Sequence, residues 1–383
     1  MSDRRFIEIV KFIKNLYGNA EFIPLHTPRF IGNEKKYVID TIDSTMVSSV
    51  GGYVNAFEDH VKQFTGAKYA IAMSNGTVAL QIALQLVGVK HGDEVLTQAL
   101  TFVATANAIV HAGGTPVFID SDVETMGMSP DSLDEFLNSN TVMREDGCYN
   151  AVTKKKISAC LPMHTFGHPI KIERIKTLCD QFKIALIEDA AESLGSWNNG
   201  KHTGLSGTLG TLSFNGNKIV TTGGGGMIIT DDEFVGKRAK HITTTAKISH
   251  PYEFFHDEVG YNFRLPNINA ALGCAQMESL PGFLDSKREL ASLYHDFFES
   301  QGVPFFTERK GTKVNYWLNC IILEGRKERN DFLEFTNSSG VMTRPIWTLM
   351  NKLPMYCRCQ STTLEKAHWL EDRVVNLPSS PRV

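Results

Sequence analysis

From about residue 68 the chain alternates short apolar runs with stretches in which apolar residues recur every three or four positions. Runs that are apolar on both faces suit strands of a parallel sheet covered on two sides, and the stretches between them suit crossover helices. The pattern predicts strands at 69–73, 94–97, 116–119, 157–162 and 184–187, with helices at 76–86, 103–111 and 172–182. The expected fold class is therefore α/β. Ahead of this core, Phe6, Ile9, Val10, Ile13 and Leu16 are interleaved with Lys11 and Lys14, which predicts an amphipathic helix within residues 1–20 that packs on the body of the protein. It lacks the unbroken apolar core of a signal peptide.

The pattern changes between residues 200 and 230, where nine glycines accompany two short strands at 211–214 and 227–230. Glycine at such density implies that backbone approaches something closely. A long helix is expected over 267–302 with an interruption near Pro281, followed by a strand at 317–323, a helix at 327–338 and a Pro-rich tail. This divides the chain into a large unit at 21–281 and a smaller C-terminal unit at 282–383.

Composition narrows the function classes. The 383 residues carry 39 basic and 42 acidic side chains, a net charge of −3, and 42 % are hydrophobic. That much apolar content excludes a disordered chain, and the charge balance gives no basic face for duplex nucleic acid. No window reaches the roughly 18 uncharged apolar residues of a membrane span. The seven cysteines are scattered, and Cys357–x–Cys359 is poor zinc spacing, so reduced thiols in a cytoplasmic, metal-free protein are expected.

Ligands of open parallel sheets bind beyond the carboxyl ends of the strands. Four places there carry chemistry. Ser74-Asn75-Gly76-Thr77 opens a helix and is either an anion site or an ordinary cap. Glu188, Asp189, Ala191 and Glu192 follow a buried strand, where a carboxylate either caps a helix or answers a cation. Lys218 lies in a tight turn after Ser213 and before Gly223–Gly226; a lysine desolvated there can form a Schiff base. Phe102 either fills the core or stacks on a flat cofactor. Anion site, strand-end carboxylate, stacking aromatic and buried lysine together describe the needs of pyridoxal phosphate. No G-x-G-x-x-G opens a helix after a strand, and the run Gly223–Gly226 precedes a strand, so a dinucleotide site is not expected.

At this point the sequence resembles the DegT/DnrJ-type sugar-nucleotide aminotransferases, from Ile23-Pro24-Leu25 to Asn376-Leu377-Pro378-Ser379-Ser380. The resemblance implies the fold-type I aminotransferase fold, with a large, mostly parallel sheet and a small C-terminal α+β domain. It implies that Lys218 is the Schiff-base lysine and proton shuttle, and that Asp189 keeps the pyridine nitrogen protonated. Phe102 and Ala191 would cover the two faces of the ring, and Gly76, Thr77 and Ser213 would contact the phosphate. Asn262, in Gly260-Tyr261-Asn262-Phe263-Arg264, would reach the phosphate of the neighbouring subunit, so a homodimer with shared active sites is implied. Glu192 stands where many relatives have Gln or His, beside the cofactor's phenolic oxygen, and Gly224 stands where many have Glu.

Further runs, among them Met163-His164-Thr165-Phe166-Gly167-His168 and Arg344-Pro345-Ile346-Trp347, resemble the branch associated with legionaminic acid and bacillosamine-type sugars. That branch implies transfer of an amino group from glutamate to C4 of a UDP-linked 2-acetamido-4-keto-6-deoxyhexose, as used for bacterial surface glycans. The alternatives are a GDP-linked 4-keto-6-deoxymannose, leading to perosamine, and a non-catalytic regulator built on the same fold. His164 and Trp347 are the candidate sugar contacts.

Overall fold

A computed structural model describes residues 2–383; residue 1 of the expected N-terminal helix lies outside the described residues. The helices of the first part are α1 (Ser2–Leu16), α2 (Glu34–Asp43), α3 (Gly52–Thr65), α4 (Gly76–Leu86), α5 (Val103–His111), α6 (Pro130–Asn140), α7 (Ile172–Gln181) and α8 (Glu233–Thr243). The strands are β1 (Tyr69–Met73), β2 (Glu94–Gln98), β3 (Thr115–Ile119), the hairpin β4 (Thr141–Arg144) and β5 (Gly147–Asn150), β6 (Lys156–Cys160) and β7 (Ala185–Asp189). A short pair follows, β8 (Trp197–Asn198) and β9 (Lys201–His202), and then β10 (Leu209–Ser213) and β11 (Gly226–Thr230).

The large sheet runs in the order β1-β11-β10-β7-β6-β2-β3, with the β4–β5 hairpin joined to β6. Strand β11 is antiparallel to both neighbours, and the pairs from β10 through β7, β6 and β2 to β3 are parallel. The strand runs are apolar on both sides because both faces are covered. Val54, Phe57 and Val61 of α3 pack with Leu212 and Phe214 on one face, and Leu80, Ile82 and Leu84 of α4 pack with Ile71, Ile187 and Ile228 on the other. Burying each such side chain contributes about 1.5–3 kcal/mol, which is what holds the helices on both faces of the sheet.

Register also explains the glycine run. Gly226 lies across from both Met73 and Ser213, at the carboxyl ends of β1 and β10. A Cβ on Gly226 would stand 2.3 Å from the carbonyl oxygen of Asn75, and one on Gly76 would stand 3.1 Å from the Ser213 Cβ. Glycine at these two positions lets the start of α4 close onto the end of β10.

Helix α9 (Asn267–Ser300) does not break at Pro281. A proline in a helix interior costs about 3 kcal/mol, but Met277, Leu280 and Phe283 on either side are buried, and anchoring them in the core offsets that cost. The expected division at 281–282 therefore falls within one continuous helix. Its second half packs Leu290, Tyr294 and Phe298 against Phe6, Ile9 and Ile13 of α1, a satellite core shared with Phe332, Val375 and Leu377. The remaining elements are β12 (Lys247–Ile248), β13 (Phe255–His256), β14 (Thr312–Lys313), β15 (Asn319–Ile322), α10 (Arg326–Ser338), β16 (Arg344–Pro345), α11 (Glu365–Glu371) and β17 (Val374–Leu377). The tail is not merely Pro-rich, because β17 forms the centre of a three-stranded sheet between β15 and β16.

Candidate active site

A cavity of about 820 Å³ opens beyond the carboxyl ends of β1, β7 and β10, roofed by Trp317, Arg344, Trp347 and Asn376 from the C-terminal part. Gly76, Thr77, Phe102, Asp189, Ala191, Glu192, Ser213 and Lys218 all line it.

Lys218 reaches the cavity because the chain turns tightly after β10, with its N–H donating to the carbonyl oxygen of Asn215 at 3.0 Å. Its side chain is only 12 % exposed, and Nζ lies 3.2 Å from Glu192 Oε1. Glu192 is buried, and its other oxygen, Oε2, accepts the Phe166 N–H at 2.9 Å. Phe166 has φ of +54°, a left-handed conformation uncommon for a bulky residue, in the turn that presents this N–H to Glu192. Burial raises the Glu192 carboxyl from its ordinary 4.5 to about 7, against the opposing pull of the Lys218 charge and the Phe166 N–H. The site therefore holds a carboxyl that can carry or release a proton near neutral pH, in contact with an amine.

Asp189 ends β7 and is buried. Its Oδ2 accepts the Thr105 hydroxyl at 2.7 Å and its Oδ1 the Ala191 N–H at 3.1 Å. Among the described residues no cation pairs with it directly, and burial raises its carboxyl above the ordinary range. A charge held this way is waiting for a positive partner in the cavity. At the start of α4 the Asn75 side chain accepts the Val78 N–H at 3.0 Å. The Gly76 and Thr77 N–H groups, by contrast, find no acceptor among the described residues and are free for an anion. Phe102 presents an exposed ring, 48 % accessible, to the same space.

Strand alternation separates two adjacent acids. Asp189 faces the cavity, whereas Glu188 points the other way and accepts the N–H groups of Gly204, Ser206 and Gly207 at 3.0, 2.6 and 2.8 Å. His164 follows Glu188. Its Nδ1 accepts the Ile170 N–H at 3.2 Å, so the proton resides on Nε2, which donates to Glu188 Oε2 at 2.9 Å. Both ring nitrogens are thus engaged in the core, and His164 does not line the cavity; the expectation of a sugar contact is corrected. Trp347 does line it, tilted against Phe102 and Phe166 at centroid distances of 6.1 and 4.8 Å. Asn262 is exposed, bridges the backbone at Thr244, and does not line the cavity of its own chain.

Sequence reasoning missed Thr105, His26 and Trp317, and quoted Arg344 only as part of a resembling run without a role; all four lie at the cavity. Thr105 had a local signal, since it lies one helical turn from Phe102 and so shares its face. His26 and Trp317 arrive from distant segments and had none.

These residues fit pyridoxal phosphate: free N–H donors for a phosphate, a buried carboxylate for a ring nitrogen and a lysine for its carbonyl carbon. When bound, the cofactor supplies an electrophilic carbon and an electron-accepting ring. The Gly76 and Thr77 N–H groups would hold its phosphate, Asp189 would meet its ring nitrogen, and Lys218 would supply the amine.

Comparison with known proteins agrees with this geometry. The family model described as the DegT/DnrJ/EryC1/StrS aminotransferase family matches residues 29–383. A GDP-perosamine synthase of Escherichia coli O157:H7 is 36 % identical over 94 % of each chain, and one of Vibrio cholerae is 34 % identical over 94 % of each. The solved structure of the aminotransferase TlmJ from Streptoalloteichus hindustanus shares the fold, with a TM-score of 0.84 at 24 % identity over 94 % of this chain and 93 % of that one. The chain belongs to the DegT/DnrJ/EryC1/StrS family and is a pyridoxal phosphate-dependent sugar aminotransferase.

Proposed function

We propose that the protein transfers the amino group of glutamate to C4 of a GDP-linked 4-keto-6-deoxymannose, giving GDP-perosamine. The observation that carries this choice is the likeness to two GDP-perosamine synthases along 94 % of the chain. It favours the GDP-linked sugar over the UDP-linked acetamido sugar expected from the shorter sequence runs.

In this reading Lys218 is the amine that would hold the cofactor, and its Nζ is the atom at which a proton would be carried, with the cofactor supplying the electrophilic carbon. Asp189, held by Thr105 and the Ala191 N–H, would keep the ring nitrogen protonated. Glu192 would meet the phenolic oxygen, Phe102 and Ala191 would cover the ring, and Gly76, Thr77 and Ser213 would hold the phosphate together with Asn262 of the partner subunit in a homodimer. Trp347 meets the sugar. The large unit carries the cofactor and the smaller C-terminal unit, including the second half of α9, closes over it.

The test is a panel of GDP- and UDP-linked 4-keto-6-deoxy sugars offered with glutamate, with products read by mass spectrometry. Amination of the GDP-linked sugar is expected. Amination of the UDP-linked acetamido sugar alone would overturn the proposal.

A further inference from the structure

Lys218 has two neighbours in the cavity. One is Glu192; the other is an aromatic face, with Nζ lying 3.8 Å from the ring centroid of Trp317. Trp317 is fixed on three sides. Its N–H donates to Asn315 Oδ1 at 2.9 Å, its carbonyl oxygen accepts the buried Lys287 Nζ at 3.1 Å, and its Nε1 donates to the carbonyl oxygen of Asn217 at 2.8 Å. The last bond seizes the residue immediately before Lys218. Asn315 also donates to the carbonyl oxygens of Glu192 and Leu194, each at 2.9 Å, so one buried side chain sets both neighbours of the amine.

We propose that Trp317 is a positioning residue for Lys218, holding the free ε-ammonium against its indole face beside Glu192 and clamping the turn that carries it. A cation over an aromatic face is stabilised by the ring's quadrupole, most strongly where water is scarce, as in this cavity. A lysine that must leave and rejoin a cofactor needs such a resting place, or its flexible four-carbon stem would sample the whole cavity. The other titratable groups facing the amine are Asp189 and His26, with Lys287 behind His26. Burial lowers both His26 and Lys287 well below their ordinary values and so disfavours their charged forms, whereas Glu192, Asp189 and the indole attract the ammonium. The inference rests on Lys218 being the reactive amine and is independent of which sugar is used.

The experiment uses the full-length, cofactor-free protein. Lys218 is methylated with formaldehyde and cyanoborohydride between pH 7 and 11, and the extent is read by peptide mass spectrometry; only the neutral amine reacts. Trp317→Met and Trp317→Phe both remove the indole N–H, but only Phe keeps an aromatic face. In Trp317→Met the pH midpoint should fall, making reaction at pH 7 about two- to thirty-fold faster, while Trp317→Phe stays within about twofold of the wild type. Equal shifts in both variants, or none in either, would overturn the proposal. Should Trp317→Met fail to fold, 5-fluorotryptophan labelling supplies the reading. The resonance lost in Trp317→Phe should move in Lys218→Met at pH 7, and an unmoved resonance would overturn the contact.

Discussion

Replacing Glu192 by Gln should flatten the pH dependence of stability of the cofactor-free protein. The Glu192 carboxyl rises from 4.5 to about 7 on folding, so between those values the native state binds a proton that the unfolded chain does not. Where the native state binds more protons, stability falls as pH rises, and the penalty is complete once pH passes the folded value. A rise of about 2.5 in pKa, at about 1.36 kcal/mol each, makes this ~3 kcal/mol. Glutamine keeps the shape and can still accept the Phe166 N–H, but it has no proton to lose. Its weaker attraction for Lys218 is a constant offset while the amine stays charged. Urea unfolding of both proteins at one fixed concentration, at pH 5, 6, 7 and 8, measures the difference. Between pH 5 and 8 the variant should gain ~2–3 kcal/mol relative to the wild type, most of it below pH 7.5. Parallel curves would show that Glu192 titrates as an ordinary carboxylate and refute the reasoning.

Lys218→Ala should abolish transamination while circular dichroism reports a folded protein, because the truncation removes the contacts with Glu192 and Trp317 but leaves both anchored by their other hydrogen bonds. Asp189→Asn should lower kcat by several orders of magnitude, since a ring nitrogen without a carboxylate partner loses its proton and withdraws electrons poorly; steady-state kinetics checks this. Thr105→Val removes a 2.7 Å donor to Asp189 Oδ2. A hydrogen bond to a charged group is worth about 1.5–3 kcal/mol, so unfolding stability or kcat should fall by that equivalent. His164→Phe should destabilise the fold by several kcal/mol, because Glu188 would lose one of its four donors in the core, and differential scanning calorimetry would register it.

The central strands from residue 69 onward are legible because they are apolar on both faces, whereas the β4–β5 hairpin of the same sheet is not, since β4 is largely exposed and carries no such run. Helix α2 is not legible in the same way. Ile39 and Ile42 are 53 % and 54 % exposed, so its apolar positions do not mark an inner face. Lys218, Asp189 and Phe102 can be found because each follows a strand or sits in a turn, where local sequence determines geometry. His164 shares that strand-end signal, yet a two-residue alternation decides which side of the sheet a residue serves, and it belongs with Glu188. Pro281 reads as a break because local cost is visible in sequence, whereas the burial of Leu280 and Phe283 that offsets it is not. Trp317 lies about 100 positions beyond the lysine it touches, and only the tertiary fold brings the two together.

The most direct test of the account follows the two half-reactions by absorbance in a single sample. Glutamate added to the cofactor-loaded protein should bleach its yellow absorbance, and GDP-4-keto-6-deoxymannose added next should restore it in one turnover while GDP-perosamine forms. A colour that glutamate leaves unchanged, or that only a UDP-linked sugar restores, would contradict it.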